Sequence, residues 1–417
     1  MSTAASKGGS VLPVETKTIF VVAGEHSGDA LGAKLLSALS AAHPGAFRFV
    51  GVGGEDMHRQ GLVSIFPIED VVAMGPLSIL PLLPRIVRRV YQTVDAALKA
   101  KSDLVIIIDS PEFTHPIAKR IRRRAPHIPI IDYVSPSVWA WRPGRAKKMR
   151  RYIDEVLALL PFEPGEHAKL GGPLCTYVGH PLIEKLDDIR NADAQGLARR
   201  LKLDPEAPVL LVLPGSRRSE VAKLIGDFGD AVGVLTARGQ KLSVLLPTVA
   251  HVRPLIEQKT VNWAVRPHIL EGATDKYAAM QLARAAIAAS GTVTLELGLA
   301  GVPAVVSYKV DAVMLMLRSM LKTPSIVLTN LVAGKIIYPE LLQEACTGDQ
   351  LADALQPLLG ESAERASQVA ALAEIPARMR LASGTPSEAA AAAVLRVLDA
   401  AAGQNYAAGK SRRGAPI

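Results

Sequence analysis

Cysteine is nearly absent from this chain: Cys175 and Cys346 are the only two in 417 residues. Two thiols cannot build a disulfide framework, which leaves a core-stabilised, reduced, cytoplasmic protein as the expectation. Aromatic residues make up only 4 %, while hydrophobic residues reach 49 %. The core must therefore be aliphatic, as in α/β proteins whose central strands are Val/Ile/Leu runs. No apolar run attains the roughly 18–20 uninterrupted residues of a spanning helix. The first sixteen residues are small and polar, without the apolar stretch of a signal peptide. Also missing are a G-x-G-x-x-G after the first strand and a Walker-type G-x-x-x-x-G-K-[ST], which argues against a dinucleotide dehydrogenase and a P-loop ATPase. No His, Cys and carboxylate set has convincing metal spacing, so neither metal nor cofactor is expected.

What is present is alternation. Apolar strand patterns at residues 18–23 (TIFVVA), 47–52 (FRFVGV), 103–109 (DLVIIID), 129–134 (PIIDYV) and 155–160 (EVLALL) are separated by helical stretches. The pattern breaks near 180–190 and restarts at 209–213 (VLLVL), followed by strands near 243–247, 264–268, 285–289 and 303–308. This is the signature of two parallel sheets wound on both faces, with one domain at 17–185 and a second at 186–387. Residues 388–402 form an Ala-rich helix, and the basic tail beyond it reads as frayed. The net charge is +9, of which +6 falls in residues 1–180. The first half thus has the stronger claim on an anionic partner, whether membrane surface, phosphorylated ligand or nucleic acid. Scarce aromatics and dispersed charge argue against nucleic acid.

Chemistry is written into the turns. In the second half, β-strand 209–213 runs into Gly215, Ser216 and Arg217, where backbone N–H groups and a guanidinium could meet an anion. An ordinary tight turn with surface arginines fits the same residues. Ser290, Gly291 and Thr292 end another strand and could cap a helix that cradles phosphate. Glu296, one turn further on, could accept from ribose hydroxyls, and Asn330 could read a base or sugar edge; a surface Glu and a turn Asn are the plain alternatives. In the first half, Glu25, Ser27 and Asp29 follow the first strand. Asp109 is carried to a sheet edge by an apolar strand, where partial desolvation would suit a general base. Ser135, Trp139, Trp141 and Arg142 lie in a Ser/Pro loop that holds two of three tryptophans, read as a sugar-stacking or interfacial wall. Residues 71–84 (VVAMGPLSILPLLP) include Met74, Leu77, Ile79, Leu80, Leu82 and Leu83 and precede Arg85, Arg88 and Arg89. An apolar patch beside cations suits shallow insertion into an anionic membrane; a buried core helix or hairpin is the other reading.

Taken together, GEHSGD (24–29), IDSPEF (108–113), YVSPSVWAWR (133–142), PFE (161–163), GHP (179–181), PGSR (214–217), ASGTVTLE (289–296) and NLVAG (330–334) resemble, in order, the lipid-A-disaccharide synthases. The similarity runs from about residue 18 to 400, with His26 and Thr329 departing from the family's usual Ala and Pro. It implies a GT-B fold, two Rossmann-like domains facing across a cleft, with the final helix returning to the first. The implied reaction transfers 2,3-diacylglucosamine from its UDP carrier to 2,3-diacylglucosamine 1-phosphate, with inversion and no obligatory metal, on the inner membrane's cytoplasmic face. Asp109 would deprotonate the acceptor 6-hydroxyl, Arg217 and residues 290–292 would hold the diphosphate, Glu296 the ribose, and Glu25, Ser27 and the Trp loop the acceptor. A homodimer is left open. A UDP-sugar epimerase of the same fold and a basic surface-binding protein are the competing classes.

Overall fold

The computed structural model describes residues 16–71, 76–310 and 323–413, with side chains omitted at 76–82 and after 403. The first half forms a seven-stranded sheet from β1 (Lys17–Ala23), β2 (Phe47–Val52), β3 (Val63–Ser64), β4 (Leu104–Ile108), β5 (Ile130–Tyr133), β6 (Glu155–Ala158) and β7 (Leu174–Tyr177). Its order is β3-β2-β1-β4-β5-β6-β7, every pairing parallel. The second sheet contains β8 (Val209–Leu213), β9 (Ser243–Thr248), β10 (His268–Glu271), β11 (Ala283–Ala289), β12 (Ala304–Tyr308) and β13 (Glu340–Leu342). They lie in the order β10-β9-β8-β11-β12-β13, again all parallel.

Burial explains why these segments are strands. Helices cover both faces of a parallel sheet, so central strands must be apolar throughout. All five residues of β4 are wholly buried, and so are Ile19, Phe20, Val21, Val22 and Ala23 of β1. In each sheet the strand order reverses once, between β1 and β4 and between β8 and β11. There the chain leaves neighbouring strands toward opposite faces, opening a crevice at their carboxyl ends. Both reversals therefore mark ligand positions before any side chain is considered.

Several expectations shift. The strand expected at 264–268 is His268–Glu271, beginning just past Pro267, which has no N–H for a sheet ladder. β3, β7 and β13 carry too few residues to give a periodic signal. The helix Pro76–Lys99 runs through Pro81 and Pro84. The final helix spans Pro386–Arg413, so the tail expected to fray continues it. Its Ala390, Ala391, Ala393 and Val394 are buried in the core around the first sheet. Arg396 donates to Glu155 of β6 at 2.7 Å, and Ser387 to Glu184 at 2.7 Å.

Glu155 is only 2 % exposed and has Arg396 as its ion-pair partner, with Thr176 donating to it at 2.6 Å. Arg396→Ala should cost about 1–2 kcal/mol, less than a fully buried pair because Arg396 is half exposed. The denaturant midpoint measures this; an unchanged midpoint would show the helix is held by its apolar face alone.

Candidate active site

At the end of β4 the chain passes through two consecutive left-handed residues, Asp109 (φ 50°) and Ser110 (φ 45°). Such a conformation costs a non-glycine residue of order 1–3 kcal/mol, so its surroundings must impose it. Asp109 N–H donates to the Tyr133 carbonyl at 3.1 Å, and Thr114 Oγ1 donates to the Asp109 carbonyl at 2.7 Å. Gly24, just past β1, lets the turn close: a Cβ there would lie 2.4 Å from that of Ser110.

The carboxylate so placed is partly desolvated. Asp109 Oδ1 accepts from Ser110 N–H at 2.7 Å, while Glu25 lies alongside. Burial is the chief cause that raises the Asp109 carboxyl to about 6; the Glu25 charge comes next, and Asp132 adds to it, against the Ser110 N–H. Ser27 donates to Glu25. Glu25, Ser27 and Asp109 therefore meet at one reversal point. Asp29 does not join them: it is 3 % exposed, and its carboxylate accepts from Gly54, Asp56 and Met57 N–H at 2.7, 3.0 and 3.2 Å. It caps the helix Glu55–Arg59.

The second reversal point holds a cavity of about 490 Å³, lined by Gly215, Ser216, Arg217, Ser290, Gly291, Thr292 and Glu296 among others. Two helices start at it, Arg218–Ala237 after β8 and Val293–Ala300 after β11, and neither receives a side-chain cap. The first N–H groups of a helix have no intrahelical acceptor, so two uncapped starts at one cavity leave donors and positive dipole ends for an anion. Gly215 has φ +110°, and a Cβ there would fall 2.6 Å from Glu220 Oε2. Arg217 is 76 % exposed and pairs with Glu220 at 3.0 Å, leaving its guanidinium accessible to a ligand. Glu296 is buried and accepts from Lys276 Nζ at 2.6 Å.

A family model described as Lipid-A-disaccharide synthetase matches residues 19–394. The lipid-A-disaccharide synthase of Rhodopseudomonas palustris (strain HaA2) is 50 % identical over 92 % of this chain and 96 % of its own. That of Nitrobacter hamburgensis is 48 % identical over 93 % and 97 %, and that of Gluconobacter oxydans 37 % over 93 % and 92 %. The chain belongs to the lipid-A-disaccharide synthase family. It is thus an enzyme, a glycosyltransferase of lipid A biosynthesis. Solved structures agree on a GT-B fold: UDP-GlcNAc 2-epimerase from Neisseria meningitidis bound to UDP-GlcNAc superimposes with a TM-score of 0.61 at 12 % identity, covering 92 % of this chain and all of that one. A glycosyltransferase from Rickettsia africae gives 0.56 at 11 %, covering 93 % and 98 %.

Not every residue singled out in this synthase-family sequence faces a ligand. Asn330 is 2 % exposed and fully used: its Oδ1 accepts from Ile337 and Tyr338 N–H, both at 2.9 Å, and its Nδ2 donates to the Tyr338 carbonyl at 2.9 Å and Glu340 at 3.1 Å. It pins a loop rather than lining the cavity. Ser135 is buried against His167 Nε2 at 2.9 Å. Trp139 donates to Glu163 at 3.2 Å, meets the Phe162 ring edge-on at 5.3 Å, and packs on the second half's core. Burial lifts Glu163 to about 7. The Trp and PFE motifs thus serve largely to lock one another. Trp141 is half-buried, with the Arg142 guanidinium 4.7 Å above its ring. Thr292 makes no cap bond, and Ser290 donates instead to the Ile326 carbonyl at 2.8 Å.

Of the apolar patch, Met74 lies outside the described residues, and the side chains of Leu77, Ile79, Leu80 and Leu82 are likewise not described. Leu83, Val87 and Tyr91 follow one face of the helix Pro76–Lys99 at four-residue spacing and are 48, 46 and 51 % exposed. Arg85 and Arg88 are exposed elsewhere on the same helix, and Arg85 approaches Asp70 at 4.0 Å. Arg89 is not free: it bonds Asp70 and stacks over Phe66 at 4.5 Å. No described helix is long and apolar enough to cross a membrane. Sequence reading missed Lys276, Glu220 and Thr248, which line the cavity. Their spacing carries no signal, because only the fold brings their loops to the reversal point; the Thr248 hydroxyl is buried there without a protein partner.

Asn330→Ala should leave two buried N–H groups unpaired and lower unfolding free energy by about 2–4 kcal/mol, with nucleotide affinity of the folded enzyme unchanged. Denaturation and calorimetry test both; a tenfold loss of affinity without destabilisation would return Asn330 to the ligand.

Proposed function

We propose that the enzyme transfers 2,3-diacylglucosamine from UDP-2,3-diacylglucosamine to the 6-hydroxyl of 2,3-diacylglucosamine 1-phosphate, forming a β-1,6-linked disaccharide 1-phosphate and UDP. The observation that carries this reading is the Asp109 carboxyl, strained, partly desolvated and raised to about 6 at the reversal point of the first sheet. A base with that affinity is ionised at neutral pH yet holds a proton well enough to draw one from an attacking alcohol. Attack from the face opposite the departing diphosphate inverts the anomeric centre. The bond from the acceptor O6 to the anomeric carbon forms as the bond from that carbon to the diphosphate oxygen breaks, and the proton passes to Asp109.

On the donor side, Arg217 and the two uncapped helix starts stabilise charge developing on the leaving diphosphate, so the reading assigns no step to a metal. Glu296, oriented by Lys276, receives the ribose hydroxyls. Residues 17–185 form the acceptor and membrane domain and 186–387 the UDP-sugar domain, the final helix packing back on the first. Trp139 supports this arrangement, since it ties a loop at the first sheet's carboxyl edge to the second half. The exposed Leu83, Val87 and Tyr91 stripe with Arg85 and Arg88 rests on the anionic cytoplasmic face of the inner membrane, so acylated substrates reach the cleft from the bilayer.

Mass spectrometry of the products from the two diacylated sugars tests the reaction; epimerised nucleotide sugar without disaccharide would refute it. Asp109→Asn should lower turnover by about 10²–10⁴-fold with UDP affinity unchanged. Because the folded pKa of Asp109 is raised, stability from its neutral form is present at low pH and lost as pH rises through about 6. The same variant should therefore show a higher Tm at pH 7.5 than the parent, and a lower Tm would contradict that assignment. Replacing Leu83, Val87 and Tyr91 by Ser should reduce sedimentation with anionic vesicles at unchanged Tm; a large fall in Tm would assign these residues to the core.

A further inference from the structure

Beside Asp109 lies a second hollow of about 440 Å³ whose lining the reaction above does not account for. It is formed by one face of the helix Pro111–Arg124 and by the helix Gly144–Met149, with Tyr152 between them. Four cations line it, Lys119, Arg142, Arg145 and Lys148, against a single lining carboxylate, Glu112. Glu112 binds Arg145 at 2.6 Å and lies 3.9 Å from Arg142. Burial would raise its pKa, yet these two guanidiniums hold it below the usual range. Burial lowers Lys119, and the Arg145 charge lowers it further, as expected where like charges crowd. The hollow thus carries a net positive lining suited to an anion.

Its position limits what that anion can be. Pro111 lines the hollow two residues after Asp109, so their Cα atoms are within about 7.6 Å of each other. The near wall of the hollow is therefore adjacent to Asp109 along the chain, on the side where an acceptor sugar would extend from the carboxylate. His115 at the hollow's wall shares a hydrogen bond with Tyr152 at 3.0 Å and lies 3.1 Å from Asp132, which fixes this wall against β5.

We propose that this hollow binds the phosphate monoester of the acceptor sugar, with Lys119, Arg142, Arg145 and Lys148 as its cations. The inference rests on the transferase reading and deepens it: the phosphate anchors the ring so that its far hydroxyl reaches Asp109. An acceptor lacking phosphate would bind without that anchor and meet the base in no fixed orientation.

The test compares the parent with a Lys119→Ala, Lys148→Ala double variant, both positions being exposed. Calorimetry with glucosamine 1-phosphate and with glucosamine should show the parent preferring the phosphate at least tenfold and the variant losing that preference, at equal Tm. With the acylated substrates, the variant should lower kcat/KM for the acceptor about tenfold or more while donor KM stays near the parent's. A phosphate preference that survives in the variant overturns the proposal. So does a variant defective only in binding phosphatidylglycerol vesicles, which would assign the cations to a lipid headgroup. If the parent forms no disaccharide, the transferase reading falls, while the sugar-phosphate titration still decides the hollow.

Discussion

The site is built on one electrostatic constraint: Asp109 must sit among carboxylates, partly out of water, in a backbone conformation that few residues tolerate. Burial, then Glu25 and Asp132, disfavour its charge, while the Ser110 N–H favours it. Such a group is costly to keep, and the fold meets the cost with wholly buried β4 and the wholly buried residues 19–23 of β1 beneath it. Gly24 and Thr114 then fix the turn from either side. The placement of Asp109 is therefore a property of the sheet, not of the loop.

The donor side obeys the opposite rule. There the fold gathers positive charge: two helix starts without caps, Arg217, and Lys276 beside Glu296. Both sites occupy the same topological place in their sheets, where strand order reverses. One fold used twice thus presents a partly desolvated carboxyl in one half and two uncapped helix starts at a cavity in the other.

How much of this was legible in the sequence follows from the range of the interactions. Central strands such as 209–213 announce themselves because burial on both faces demands an unbroken apolar run. Gly215, Arg217, Ser290 and Glu296 were legible because a strand-turn-helix junction is local. Asn330 and Trp139 were ambiguous for a physical reason: a buried polar group that satisfies a distant loop has the same residue type as one that binds a ligand. Their partners, Ile337 and Tyr338 for one, Glu163 and Phe162 for the other, become evident only in three dimensions. The polar Lys276 and Lys148 carried no pattern at all until their loops and helices were placed.

The most direct measurement is the acid limb of the kcat/KM–pH profile for the parent and for Glu25→Gln. The parent should lose activity as pH falls through about 6, and removing the neighbouring charge should move that limb to lower pH. A limb that stays in place in Glu25→Gln, or a parent with no acid limb in that range, would contradict Asp109 as the base.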